Sequence, residues 1–361
     1  VKTPVRCEVR VREQLLGLLG WDILVLAAGL FPGLRGDPMH DFFSRRSFLE
    51  ASAFSAAAVA AAGLLNARDA QAGQTAKKEA ASETGAANGG QVPLTVKKAV
   101  KIGMVQLPGT LTEKFKGLKE LGYDGVELDS PSPLKLEEVL EARDKSGLTI
   151  HGVVDSVHWK QTLSHPDEAV RAQGVTALEQ AIRDSKAYGG TSVLLVPAVV
   201  NREVSYADAY KRSQAEIKKA IPLAGELGIR ILFENVWNNF LLSPLEMARY
   251  IDEFDSPVVG AYFDVGNIVH YGWPQHWVQA LGKRIGKLDI KGFSRGIADK
   301  EGKYKGFNAE IGEDDCDWAA VSKALTEAGF TEIWGTAEVR GGNADRLKDI
   351  LQRMNKAFPK A

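Results

Sequence analysis

From Val100 to the C-terminus, short apolar runs alternate with longer stretches in which apolar side chains recur every three or four positions. Side chains alternate across a strand but share a helix face at i, i+3 and i+4, so the two patterns read as strands and amphipathic helices. The short runs predict strands over Lys101–Gln106, Gly125–Asp129, Thr149–Asp155, Thr191–Pro197, Arg230–Asn235, Val258–Asp264, Arg284–Lys291 and Glu332–Glu338. Helical spacing predicts Leu111–Leu121, Leu136–Lys145, Pro166–Tyr188, Tyr206–Leu227, Pro244–Phe254, Pro274–Leu281, Trp318–Ala328 and Ala344–Phe358. Within residues 207–227, for example, Ile217, Ile221, Ala224 and Leu227 form one stripe. Gly122, Gly147, Gly189, Gly228 and Gly329 stand where these helices end, as left-handed terminators do. Eight strand–helix units in roughly 260 residues predict an α/β fold, a (β/α)8 TIM barrel. The competing open sheet would want a Gly-rich phosphate loop after an early strand, and Gln106-Leu-Pro-Gly-Thr110 is not one.

The first hundred residues follow another pattern. Ser44-Arg-Arg-Ser-Phe-Leu-Glu50 carries a twin-arginine pair, followed by an Ala-rich apolar run from Ala51 to Leu65 and a small-x-small site at Ala70-Gln71-Ala72. That order is the signature of a Tat signal peptide, and the run is too short to span a membrane. The expected organisation is a Tat signal over 39–72, a flexible linker over 73–98 and the barrel over 99–361. Residues 1–38 read as an extension of the gene model or a disordered leader, with Met39 as the true start. The Tat export machinery is the expected partner, the destination is periplasmic or extracytoplasmic, and the mature form has no stable membrane span. Homo-oligomerisation is left open.

Composition narrows the function. Lys and Arg number 45 against 46 Asp and Glu, a formal net charge of −1, which excludes a nucleic-acid binder that works by bulk charge. Two cysteines exclude a disulfide framework.

In a barrel of this kind the C-terminal strand ends form the active face. Read there, the chain is acidic. Strand two ends with Glu127 and Asp129, strand three with Asp155, strand five with Glu234, strand six with Asp264, strand seven carries Asp289 and strand eight ends with Glu338. Strands five to eight thus bring Glu, Asp, Asp and Glu to one rim, and four like charges repel unless neutralised. A divalent cation would do so, and oxygen donors suit Mg2+ or Mn2+. The expected metal ligands are Glu234, Asp264, Asp289 and Glu338.

Several phrases resemble the xylose isomerase-like TIM-barrel family, the sugar phosphate isomerase/epimerase group. They are Leu121-Gly-Tyr-Asp-Gly-Val-Glu-Leu128, Leu232-Phe-Glu-Asn235, Phe263-Asp-Val-Gly-Asn267, Lys287-Leu-Asp-Ile-Lys291, Glu310-Ile-Gly-Glu-Asp-Asp-Cys-Asp-Trp318 and Ala337-Glu338. Epimerases of this family hold one metal with Glu, Asp, His and Glu. Glu234, Asp264 and Glu338 match three of these, and Asp289 stands where the His would be. The resemblance implies proton transfer beside a carbonyl of a small-molecule carbohydrate, with Glu234 and Glu338 as the catalytic pair. It also implies substrate contacts at Asn267, where epimerases often place a His, and at Arg295, where they often place an Arg. His158, Trp159, Trp237, Lys291 and Glu127 complete the expected substrate-binding set. A lyase acting by β-elimination on 3-keto glycosides and a non-catalytic sugar-binding barrel are the alternatives. The related endonuclease IV barrel needs several His at strand ends, where this chain offers His151 and His158.

Overall fold

The computed structural model describes residues 93–359. The extension expected over 1–38, the Tat signal over 39–72 and the linker up to residue 92 lie outside the described residues. Among the described residues, eight parallel strands close into a barrel in chain order. They are β1 (Thr95–Lys101), β2 (Gly125–Ser130), β3 (Thr149–Asp155), β4 (Ser192–Leu195), β5 (Arg230–Glu234), β6 (Val259–Asp264), β7 (Ile285–Ile290) and β8 (Glu332–Ala337). The ring is sealed where β1 pairs with β8, from Thr95 opposite Glu332 to Val100 opposite Ala337.

The helices are α1 (Leu111–Leu121), α2 (Leu136–Ser146), α3 (Glu168–Tyr188), α4 (Tyr206–Leu227), α5 (Pro244–Asp252), α6 (Gly266–Val269), α7 (Pro274–Leu281), α8 (Arg295–Glu301), α9 (Trp318–Glu327) and α10 (Ala344–Ala357). The capping chemistry expected from sequence sets their ends. Thr110 and Glu113 form a reciprocal capping box on α1, and Gly122 closes that helix at φ 102°. The short α6 and α8 are additions in the loops after β6 and β7.

One strand is displaced from expectation. β1 was placed at Lys101–Gln106 and lies at Thr95–Lys101, so residues 95–98 of the expected linker belong to the barrel. The lysines of Thr95-Val-Lys-Lys-Ala-Val-Lys101 disguise it. Lys98 is buried and donates to the Phe358 carbonyl at 2.8 Å, while Lys97 meets Glu332 at 2.6 Å. Long lysine stems lie along apolar surface while their heads reach polar partners, so a lysine-rich strand can still be inside.

Most apolar burial lies between the sheet and the helices. Inside the barrel the apolar cluster is small: Leu194, Leu232 and Tyr262, with Val154 against them. The rest of the described interior carries polar side chains, including Glu127, His151, Lys287 and Thr336. No helix among the described residues is long and apolar enough to cross a membrane.

The loop after β8 folds back on the one after β1. Gly342 N donates to Met104 O at 3.1 Å, and Gln106 N donates to Gly342 O at 3.0 Å. A Cβ on Gly341 would collide with the Met104 carbonyl, deep inside van der Waals contact. Gly341→Ala is therefore expected to cost about 1–3 kcal/mol through forced backbone displacement. Chemical denaturation checks this, and an unchanged midpoint would show that the approach of the two loops is slack.

Candidate active site and metal centre

Strand parity builds the centre. Residues two apart on a strand share a face, so Tyr262 and Asp264 point inward from β6, as do Lys287, Asp289 and Lys291 along β7 and its extension. The β6–β7 register sets Asp264 directly against Asp289. Glu234 ends β5, and Glu338 follows β8, its N–H donating to Ile290 O at 3.1 Å. One carboxylate oxygen from each of Glu234, Asp264, Asp289 and Glu338 lies within 4.8 Å of the others, so the structure brings together all four residues expected from sequence.

Two asparagines fix this geometry. The Asn235 side chain accepts from Asp264 N at 2.9 Å and donates to Asp264 O at 2.8 Å. Asn267 donates its backbone N–H to Asp264 Oδ1 at 2.8 Å and its side-chain amide to Asn235 O at 2.9 Å. Asn267, expected to touch substrate, thus has its amide nitrogen committed to holding β5 and β6 in place.

Two ammonium groups enter the cluster. Lys291 Nζ lies 2.9 Å from Asp264 Oδ2 and 2.5 Å from Glu338 Oε2. Lys101 Nζ lies 3.0 Å from Asp289 Oδ2, 3.3 Å from Glu127 Oε2 and 3.7 Å from Glu338 Oε1. Lys291 was expected here as a substrate contact. Lys101 was missed, because placing β1 too late put Gln106 at the rim. A strand end five residues earlier would have shown a lysine level with Glu127, its register partner.

The charge remains unbalanced. Five carboxylates, counting Glu127, face two lysines. Burial first, and then the neighbouring carboxylates Glu338 and Asp289, push the Glu234 carboxyl well up. Burial raises Asp289 well up and Asp264 to about 6, although Lys101 and Lys291 respectively oppose it. For Glu338 burial also works upward, but Lys101 and Lys291 outweigh it and hold the carboxyl at about 2. Asp289 Oδ1 is buried without a hydrogen bond, while Asp264 Oδ2 and Asp289 Oδ2 face Lys291 and Lys101 at ion-pair distance. An all-oxygen donor set with excess negative charge and an unpartnered buried oxygen fits a divalent cation of the Mg2+ or Mn2+ kind.

Beneath the rim runs a polar column. Tyr262 Oη donates to Glu127 Oε1 at 3.0 Å and lies 2.8 Å from Thr336 Oγ1. Thr336 Oγ1 in turn lies 3.1 Å from His151 Nε2, and His151 Nδ1 lies 3.0 Å from Lys287 Nζ. Burial, then Lys287, push His151 well down, so its ring is neutral. Burial lowers Lys287 to about 7. The β2–β3 and β6–β7 registers shift where β3 and β7 each carry one extra residue, His151 and Gly286, a common placing of β-bulges near sites. Glu127, also expected to bind substrate, is 1% exposed and pairs with Lys101.

The other expected contacts divide. His158 is buried, its Nδ1 accepting from Val196 N at 3.2 Å, and burial drives its pKa down to about 3. Trp159 packs edge-on against His158 with half its surface exposed. Trp237 donates its indole N–H to Asn267 O at 2.8 Å, which ties it to the rim. Arg295 commits its guanidinium to the carbonyls of Val269 and Gly272 and lies over Trp273, so it braces the loop after β6. Asn343 caps α10 by accepting from Arg346 N.

Comparison with known proteins follows the same lines. Residues 115–357 match the profile of the family described as Xylose isomerase-like TIM barrel. L-ribulose-5-phosphate 3-epimerase UlaE of Escherichia coli O1:K1 / APEC is 24% identical over 287 residues, covering 74% of this chain and 96% of that protein. The apo structure of 3-keto-D-glucoside 4-epimerase YcjR from E. coli superposes with TM-score 0.61 at 17% identity, covering 73% of this chain and 99% of that one. D-allulose 3-epimerase from Methylomonas sp., in complex with D-allulose, gives 0.59 at 17% identity over 74% and 99%. The curated relatives are thus sugar epimerases, and the structural likenesses are of fold.

Tyr262→Phe is expected to keep the barrel while removing the donor to a buried Glu127 oxygen, at a cost of about 1–3 kcal/mol. Urea denaturation measures it; a gain in stability would show that the column is not needed to hold Glu127. Asp155 offers a pH test. Burial raises its carboxyl to about 7, against a Val157 N–H that lowers it. A carboxyl raised in the folded state contributes stability that is fully present below about pH 4 and lost as pH rises through about 7. Asp155→Asn is therefore expected to melt above the parent at pH 8, the gap closing toward pH 4. A gap independent of pH would mean that Asp155 is not the titrating group.

Proposed function

This chain belongs to the xylose isomerase-like TIM barrel family, and we propose that it is a divalent-metal-dependent sugar epimerase or isomerase working by proton transfer beside a ketose carbonyl. The observation that carries this reading is the convergence of Glu234, Asp264, Asp289 and Glu338 within 4.8 Å. Sugar-epimerase relatives of nearly equal span support it.

Glu234, Asp264, Asp289 and Glu338 would hold the cation. Bound there, it would polarise the substrate carbonyl and stabilise the negative charge that develops on that oxygen. Glu234 and Glu338 stand on β5 and after β8, three strands apart in the closed order. From these places they address a substrate carbon from different sides. One carboxylate takes the proton from the carbon beside the carbonyl, leaving its electron pair delocalised onto the carbonyl oxygen. The other, protonated at the start of the cycle, gives its proton to the opposite face and is left as the carboxylate, which inverts that carbon. Lys101 and Lys291 hold Glu338 at hydrogen-bond or ion-pair distance and so fix its aim. His158, buried and neutral, gives the pocket an uncharged wall.

Glu338→Gln is expected to lower turnover by about 100-fold or more while the fold survives, since general acid–base groups contribute about 10²–10⁴. The assay is inversion of a ketose in D2O, with deuterium appearing at the carbon beside the carbonyl only in the parent protein. Chelation should abolish activity, and Mn2+ or Mg2+ should restore it. Deuterium incorporation by Glu338→Gln at the parent rate would overturn the proposed role.

A further inference from the structure

A chain of aromatic rings leads outward from the carboxylate cluster. Lys291 Nζ, which touches Asp264 and Glu338, lies 5.2 Å from the centre of the Phe307 ring. Phe307 is 4.9 Å from Trp237, and Trp237 is 5.2 Å from Tyr304 and 5.5 Å from Tyr271. The rings come from the loops after β5, β6 and β7, so three separate segments converge on one line. Phe307 and Trp237 are half-buried, but Tyr271 is 65% exposed and Tyr304 64%. Lys303 Nζ stands 5.0 Å from the Tyr304 ring and 5.4 Å from that of Trp237.

We propose that this wall is a second sugar subsite, and that the natural substrate is a glycoside whose neighbouring ring stacks on Tyr271 and Tyr304. The inference rests on the reading of the carboxylate cluster as the reacting centre. Three observations favour it. The rim of the wall leaves the Tyr271 and Tyr304 rings largely exposed, and aromatic surface of this kind suits the C–H face of a pyranose. Its cation, Lys303, offers donors to hydroxyl oxygens. The wall is also continuous with the reacting centre through Phe307.

A phosphorylated monosaccharide would use a different place, the loop after β8, where barrels commonly present free N–H groups. Here Gly342 N is bonded to Met104 O, and Arg346 N is capped by Asn343. The Arg346 guanidinium is balanced by Glu310 and Asp349 at 2.8 Å each.

The test compares a free keto-sugar with a disaccharide carrying the same keto-sugar at one end. The parent protein is expected to prefer the disaccharide at least tenfold in kcat/KM. In Tyr271→Ala/Tyr304→Ala that ratio should fall at least tenfold, chiefly through KM. Equal use of the two substrates by the parent, or a ratio unchanged in the variant, would overturn the subsite. If neither substrate turns over, the epimerase reading fails on its own, and calorimetric titration with cellobiose, maltose and glucose decides the subsite separately. Tighter binding of either disaccharide than of glucose, lost in the double variant, supports it. Equal binding of all three overturns it, as would dissociation of a dimer by the double variant with no change in sugar binding, since the wall would then be a contact between copies.

Discussion

A carboxylate taken out of water loses several kcal/mol of hydration, and another one a few ångströms away adds repulsion to that loss. The mouth of this barrel accepts five such groups, and its architecture is arranged around the consequence. Lys101 reaches from β1 to carboxylates on β2, β7 and after β8, while Lys291 joins β6 to the same Glu338. The Asn267 N–H then donates to Asp264 Oδ1 and the Asn235 amide holds the Asp264 backbone, while Asp289 receives no such donor. The charge left over suits a divalent ion held among the oxygens. A wholly apolar filling of the barrel would remove the repulsion, and with it the chemistry.

Much of this was legible in the sequence because barrel geometry converts position into place. Once strands five to eight were found, their last inward residues had to meet, and Glu234, Asp264, Asp289 and Glu338 do. What failed was the first strand. Its apolar positions, Val96 and Val100, are separated by lysines whose burial depends on partners more than two hundred residues away, such as Glu332 and Phe358. Local pattern carries no trace of such partners, and with β1 misplaced, Lys101 disappeared from the rim. Glu127 shows a different limit. Its strand position was read correctly, but its carboxylate is taken up by Tyr262 of β6 and Lys101 of β1. Partners from other strands are set by barrel closure, which periodicity along one strand does not encode.

The loops were the least legible part. Arg295 matched the family's residue type and Asn267 only its position, and both have donors committed to neighbouring backbone carbonyls. Conversely, Tyr271 and Tyr304 lie in segments with no periodic signal, among the short helices α6 and α8 and the turn after them. Their convergence on Trp237 follows from where three loops happen to meet above the strands. A chemistry-based reading finds strand-end residues more readily than residues gathered by loop packing.

The seam between β1 and β8 carries one more consequence. Lys101 sits at the end of the first strand and Glu338 just past the last, 237 positions later. Their pairing exists only after the ring has closed. A partly folded chain lacking its first strand would hold Asp289 without the Lys101 ammonium, and one lacking its last would have no Glu338, so the cluster is complete only in the closed ring. A divalent ion bound by this cluster would thus report on topology, registering the moment at which the two ends of the sheet find each other.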